Sequence, residues 1–171
     1  MDKLQAIGLE TITLSPELNM EQIKSITTKG VALYETIGYG YLPLMIMKHC
    51  PMSVVKNCKD DLNCGTCAYS KGYGLKDRKS INFYMERNEG FTTIYNSVPL
   101  MVLDSIHQIY NTGVNMIRLD FTFENEDIKE IQDFYYNYAN RKISEDVVRE
   151  FIEKYRDKKD ITKGHYFRGV I

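Results

Sequence analysis

The chain has 171 residues, with 22 Lys and Arg against 23 Asp and Glu, a net charge of -1 and a hydrophobic share of 43%. That length suits one core, so a single domain over residues 1–171 is expected. The charge balance excludes a global attraction to nucleic acid or to an anionic membrane and leaves only local patches. No apolar run approaches the ~20 residues of a membrane span. Met1-Asp2-Lys3-Leu4-Gln5 lacks the apolar segment of a secretory signal. A cytoplasmic location away from membranes is therefore expected.

Met1 to Gly8 reads as a short amphipathic helix ending at a glycine. Glu10 to Leu14 alternates polar and apolar residues and reads as a strand broken by Ser15-Pro16. Asn19-Met20-Glu21-Gln22 has the pattern of a capping box, so a helix through Ile23 and Ile26 follows, stopping by Gly30. Val31 to Ile37 is the next strand, and Gly38-Tyr39-Gly40 marks a bulge or a close backbone approach. Leu42 to Met47 is apolar throughout and is expected to be buried. Helix, strand, helix, strand is the order of a β/α layer with parallel strands.

Pro51 to Gly74 breaks that order. It lacks periodicity and is too long to stand structureless in a compact domain unless something organises it. Leu75 to Ser80 reads as a polar turn. Ile81 to Met85 and Phe91 to Tyr95 read as a hairpin around Asn88-Glu89-Gly90. From Ser97 the spacing of Leu100, Leu103, Ile106 and Tyr110 predicts a helix ending at Asn111-Thr112-Gly113. Val114 to Phe121 is a strand and Glu126 to Asn140 an amphipathic helix. Ser144 is the expected N-cap of a last helix ending near Lys158. The fold class is thus α/β: a partial (β/α) barrel-like layer with a cysteine-rich insertion over about 50–74 and a hairpin over about 81–95. Three parallel strands fall well short of the eight units of a closed barrel.

All four cysteines, Cys50, Cys58, Cys64 and Cys67, fall in that insertion. Four thiolates so close can saturate one zinc ion or one [4Fe–4S] cluster, and the two-residue spacing of Cys64 and Cys67 is a usual half-site for either. In a reducing compartment metal ligation is favoured over disulfides or idle core thiols. The spacing does not separate zinc from iron–sulfur. His49 beside Cys50 suggests a Cys–His nucleophile, but neighbours on an extended chain point opposite ways.

Arg118 and Asp120 share one face of their strand, opposite Ile117 and Leu119, and Glu124 follows it. Strand C-terminal ends are where β/α barrels place active sites. A buried ion pair is the competing explanation, and the same holds for Glu35. His165, between Gly164 and Tyr166, suits either a close approach to substrate or a docked terminus. Lys56, Lys59, Lys71, Lys76, Arg78 and Lys79, with Tyr69 and Tyr73, surround the cysteine loop. They suit either a nucleic-acid contact or a solvated face.

Six stretches run in order through most of the chain: Thr13-Leu14-Ser15-Pro16-Glu17-Leu18; Tyr39 to Met45 leading into Cys50-Pro51; Leu75-Lys76-Asp77-Arg78; Ile94-Tyr95-Asn96-Ser97; Ile117 to Phe121; and Lys163-Gly164-His165-Tyr166-Phe167-Arg168-Gly169-Val170. Together they resemble the C-terminal portion of the collagenase-like peptidase family U32. The resemblance implies a (β/α) barrel with added elements, of which this chain is similar to the later half. A missing N-terminal barrel half or a second copy of the chain is then an expected partner. The family name implies a protease or hydrolase acting on peptides. Better-understood relatives take part in hydroxylating RNA bases and need a cysteine cluster. By that resemblance Cys50, Cys64 and Cys67 match family cysteines. RNA-modifying members carry further ones at the place of Pro43 and beyond the hairpin, near Met101, where this chain has no cysteine, and Cys58 takes up part of the difference. A non-catalytic, zinc-stabilised module recognising RNA or a protein is the reading from another class.

Overall fold

The computed structural model describes residues 8–30, 32–57, 72–124 and 127–168. The helix expected over Met1 to Gly8 and most of the cysteine loop lie outside the described residues. In chain order the elements are β1 (Thr11–Thr13), α1 (Met20–Thr27), β2 (Leu33–Gly40), β3 (Pro43–Met47), α2 (Pro51–Lys56), β4 (Tyr73–Lys76), β5 (Asn82–Asn88) and β6 (Phe91–Tyr95). Then come β7 (Leu100–Met101), a 3-10 turn at Leu103–Ser105, α3 (Ile106–Tyr110), β8 (Met116–Asp120), α4 (Ile128–Ala139) and α5 (Glu145–Lys158). The chain divides into two compact units, Met1–Gly40 with Val98–Ile171, and Tyr41–Ser97.

The first unit is a β/α layer. β2 pairs in parallel with β1 and with β8, while β7 joins β2 antiparallel at Tyr39 and Gly40. Glu35 pairs with both Thr13 and Met116, so β1 and β8 occupy opposite edges of β2. No closed barrel forms among the described residues. α1 starts where its capping box predicts: Gln22 N donates to Asn19 Oδ1 (3.0 Å), and Asn19 N donates to Gln22 Oε1 (2.9 Å). α5 begins after Ser144 as expected, yet the Ser144 side chain makes no capping bond.

α4 and α5 bury one stripe each, Ile131, Tyr135 and Tyr138 from the first and Val148, Phe151, Ile152 and Tyr155 from the second. These stripes pack with Tyr39, Met101, Leu103 and Ile106 in one apolar cluster, with Ile117 and Leu119 against it. Each fully buried large apolar side chain contributes about 1.5–3 kcal/mol.

The helix expected from Ser97 is corrected. Leu100 and Met101 form a strand, a 3-10 turn follows, and only Ile106–Tyr110 is α-helical. Spacings of three and four residues fit that composite as well as they fit one helix, because Leu100, Leu103, Ile106 and Ile109 are all buried in it.

β2 bulges between Ile37 and Tyr39. A Cβ on Gly38 would stand 2.3 Å from Ile117 Cγ2, so only glycine lets the strands approach there. Two tyrosines hold the bulge. Tyr135 Oη donates to Gly38 O (2.6 Å) and accepts from Val102 N (3.2 Å). Tyr166 Oη donates to Ile37 O (2.6 Å) and meets Thr36 Oγ1 at 2.6 Å. Tyr166 belongs to the chain's last described segment, which also bridges Thr162 to Leu100.

The second unit is an antiparallel sheet in the order β3-β6-β5-β4. β5 and β6 form the expected hairpin, turning through Glu89 and Gly90, both at positive φ. Two expectations fail here. Tyr73–Lys76 is a strand paired with β5 rather than loop and turn. Leu42 to Met47 is not buried: Leu44, Met45 and Ile46 are 57%, 53% and 66% exposed. β3 is an edge strand whose two faces are both open, and an apolar run by itself does not reveal whether anything covers it. Asp77 organises the following turn by accepting from Lys79 N (2.7 Å) and Ile81 N (2.9 Å).

Candidate active site on the parallel strands

A polar row crosses the three parallel strands. Thr13 Oγ1 on β1 donates to Glu35 Oε1 on β2 (2.8 Å). Arg118 on β8 reaches the same Glu35 oxygen through Nη1 (3.3 Å) and Asp120 Oδ1 through Nε (3.1 Å). Alternation explains the arrangement: Ile117 and Leu119 pack into the helix-covered core, so Arg118 and Asp120 face away from it. Gly40 brings the strand ends together. It sits at φ +136°, and a Cβ there would stand 2.3 Å from the Asp120 carbonyl oxygen.

The side chains of Glu35, Arg118 and Asp120 are 19%, 42% and 39% exposed. Ion pairs as open as these contribute at most about 1 kcal/mol to stability. The row therefore offers chemistry more than cohesion: a carboxylate and a guanidinium side by side, both reachable from solvent.

Glu124 is placed separately. Its Oε2 accepts from Thr122 N (2.8 Å) and Phe123 N (3.1 Å), so the turn after β8 fixes the carboxylate. Its Oε1 is buried and has no hydrogen-bond partner among the described residues. Tyr39 Oη lies 3.0 Å from Tyr155 Oη. Burial, then the Tyr155 hydrogen bond, then the Glu124 charge push the Tyr39 phenol far above its ordinary range. Glu124 thus acts on Tyr39 and takes no part in the Arg118 ion pairs.

His165 sits in the turn that docks Tyr166, and its carbonyl accepts from Arg168 N (3.2 Å). Neither Arg118 nor Asp120 bonds to it. Of the four sequence candidates, the structure brings Arg118 and Asp120 together and leaves Glu124 and His165 elsewhere. Sequence reasoning noted Glu35 but missed Thr13, which ordinary strand alternation next to Glu35 would have flagged. It also missed Tyr39 and Tyr155, although the chain's 13 tyrosines were a signal that some serve as buried hydrogen-bond partners.

Cys50 is buried and precedes α2 as its N-cap residue. Its carbonyl accepts from Ser53 N (3.0 Å) and Ser53 Oγ (2.7 Å), and its thiol makes no capping bond. His49 beside it is exposed, so the two side chains do not meet as nucleophile and base. Cys58, Cys64 and Cys67 lie outside the described residues. Among the described residues no three His, Cys, Asp or Glu converge to hold a metal ion. Lys56, Tyr73, Lys76, Arg78 and Lys79 are exposed, while Lys59, Tyr69 and Lys71 lie outside the described residues. No helix among the described residues is long and apolar enough to cross a membrane.

The family model described as peptidase family U32 matches residues 1–169, essentially the whole chain. No curated protein and no solved structure matches it.

Proposed function

We propose a peptide-bond hydrolase for this chain, which belongs to peptidase family U32. The observation that carries this reading is the solvent-accessible Arg118–Asp120 pair on the parallel strands, backed by Glu35 and Thr13. Asp120 takes a proton from a water as that water attacks the scissile carbonyl. Arg118 donates hydrogen bonds to the oxyanion that forms. The C–N bond then breaks, the leaving amine takes up the proton, and the new acid keeps the water's oxygen. Glu35 and Thr13 hold the guanidinium in place and are positioning residues.

The sheet is read as one arc of a (β/α) barrel. A separate chain carrying further β/α units, or a second copy of this chain, supplies the strands that complete it. The substrate class is peptide, and the compartment is the cytoplasm. Cys50, Cys58, Cys64 and Cys67 are the proposed ligands of zinc or a [4Fe–4S] cluster. The buried Cys50 thiol, free of any capping duty, suits a ligand. A closed four-thiolate site leaves no position for substrate and would supply structure rather than hydrolysis.

The test is digestion of gelatin and of a short peptide mixture by wild type and Asp120→Asn, with fragments read by mass spectrometry. Cleavage by the wild type and its loss in the variant, at unchanged melting temperature, support the reading. Equal cleavage by both overturns the role of Asp120. Metal analysis after replacing Cys64 and Cys67 by Ser addresses the metal: bound metal that persists unchanged rejects the quartet.

A further inference from the structure

Away from the polar row, the first unit carries a charged groove of about 440 Å³. Three segments distant in sequence build it: the turn at Asp104, the first turn of α5, and the stretch Lys163 to Arg168. Lys163 Nζ meets Asp104 Oδ2 at 2.6 Å, and Arg149 pairs with Glu145 one turn along α5. These two pairs cancel. Arg168 also lines the groove, and its guanidinium has no carboxylate partner among the described residues. Beside it, Phe167 is 49% exposed, with Lys163 Nζ 5.4 Å from its ring centre. The groove therefore presents one uncompensated guanidinium next to a half-exposed aromatic ring.

We propose that this groove captures the C-terminal carboxylate of a peptide, with Arg168 as its anchor and Phe167 as a platform for an apolar last residue. A planar carboxylate matches the two-pronged donor geometry of a guanidinium. Three cations against two carboxylates leave a single positive charge, which suits a monoanion. A nucleic-acid backbone needs several uncompensated cations and would meet Asp104 and Glu145 as like charges. The inference rests on the peptide-hydrolase reading for its substrate class and names a second subsite for it.

The experiment uses the full chain and a fluorescein-labelled tetrapeptide ending in phenylalanine, prepared as the free acid and as the amide, with binding read by anisotropy. The free acid is expected to bind at least about tenfold more tightly, as for a lost charge-assisted hydrogen bond. Arg168→Gln should erase that preference, and Arg168→Lys should restore part of it, both at unchanged melting temperature. Equal binding of acid and amide to the wild type overturns the proposal, as does tighter binding of a single-stranded oligonucleotide at the same salt. Cleavage assays on the same peptides keep the two ideas apart. Acid-selective binding without cleavage leaves the groove and rejects the hydrolase. Cleavage with no acid preference does the reverse.

Discussion

Arg118 holds two carboxylates at once, and its side chain is still 42% exposed. That combination decides what its loss should do. Removing an exposed ion pair changes stability by less than about 1 kcal/mol. Removing a donor to a developing oxyanion slows catalysis about 100-fold or more. Arg118→Gln is therefore expected to melt within a few degrees of wild type while losing most peptide hydrolysis; equal losses of both would make Arg118 structural. Alternation in the strand made the shared face of Arg118 and Asp120 legible. The separate station of Glu124 was not, because the turn that clamps its carboxylate depends on backbone amides that no residue pattern announces.

At the scale of elements, the two helix starts offer a contrast. Both have an Asn or Ser at the N-cap, but only Asn19 completes its capping box. Asn19→Ala is expected to cost about 1 kcal/mol. Ser144→Ala should cost only a few tenths, since no capping bond is lost. Chemical denaturation of both variants checks this, and equal losses would contradict it. The capping box and the hairpin were readable because each depends on short-range chemistry, and the Gly38 bulge because a glycine inside a strand flags a close backbone approach. The β7, 3-10 and α3 composite was not, since its apolar spacing serves helix and strand alike. β3 was misjudged for a related reason: apolar character is local, while burial depends on which neighbours arrive.

Across the first unit, buried tyrosines tie the strands to the helices and to the last described segment. Burial is the leading cause that raises the phenols of Tyr39, Tyr135 and Tyr166 above their ordinary value of 10.0. Their folded forms keep protons that the unfolded chain releases above pH 10. Their contribution is thus complete below about pH 10 and is lost as pH rises beyond it. Melting temperature should fall steeply above pH 10, and less steeply in Tyr135→Phe relative to its own neutral-pH value. An unchanged slope in that variant would contradict the linkage. The parallel order of β1, β2 and β8 was legible in the alternation of helix and strand. The division into two units was not, because the second unit's sheet recruits Tyr73–Lys76 from a stretch without strand-like patterning.

Hydrolysis at Asp120 has one direct signature. Digestion of a defined peptide in water enriched in oxygen-18 should place a single heavy oxygen in the new C-terminal carboxylate when wild type is used, and give no product with Asp120→Asn. Intact peptide with the wild-type chain, or labelled product at equal rates from both proteins, would contradict the assignment.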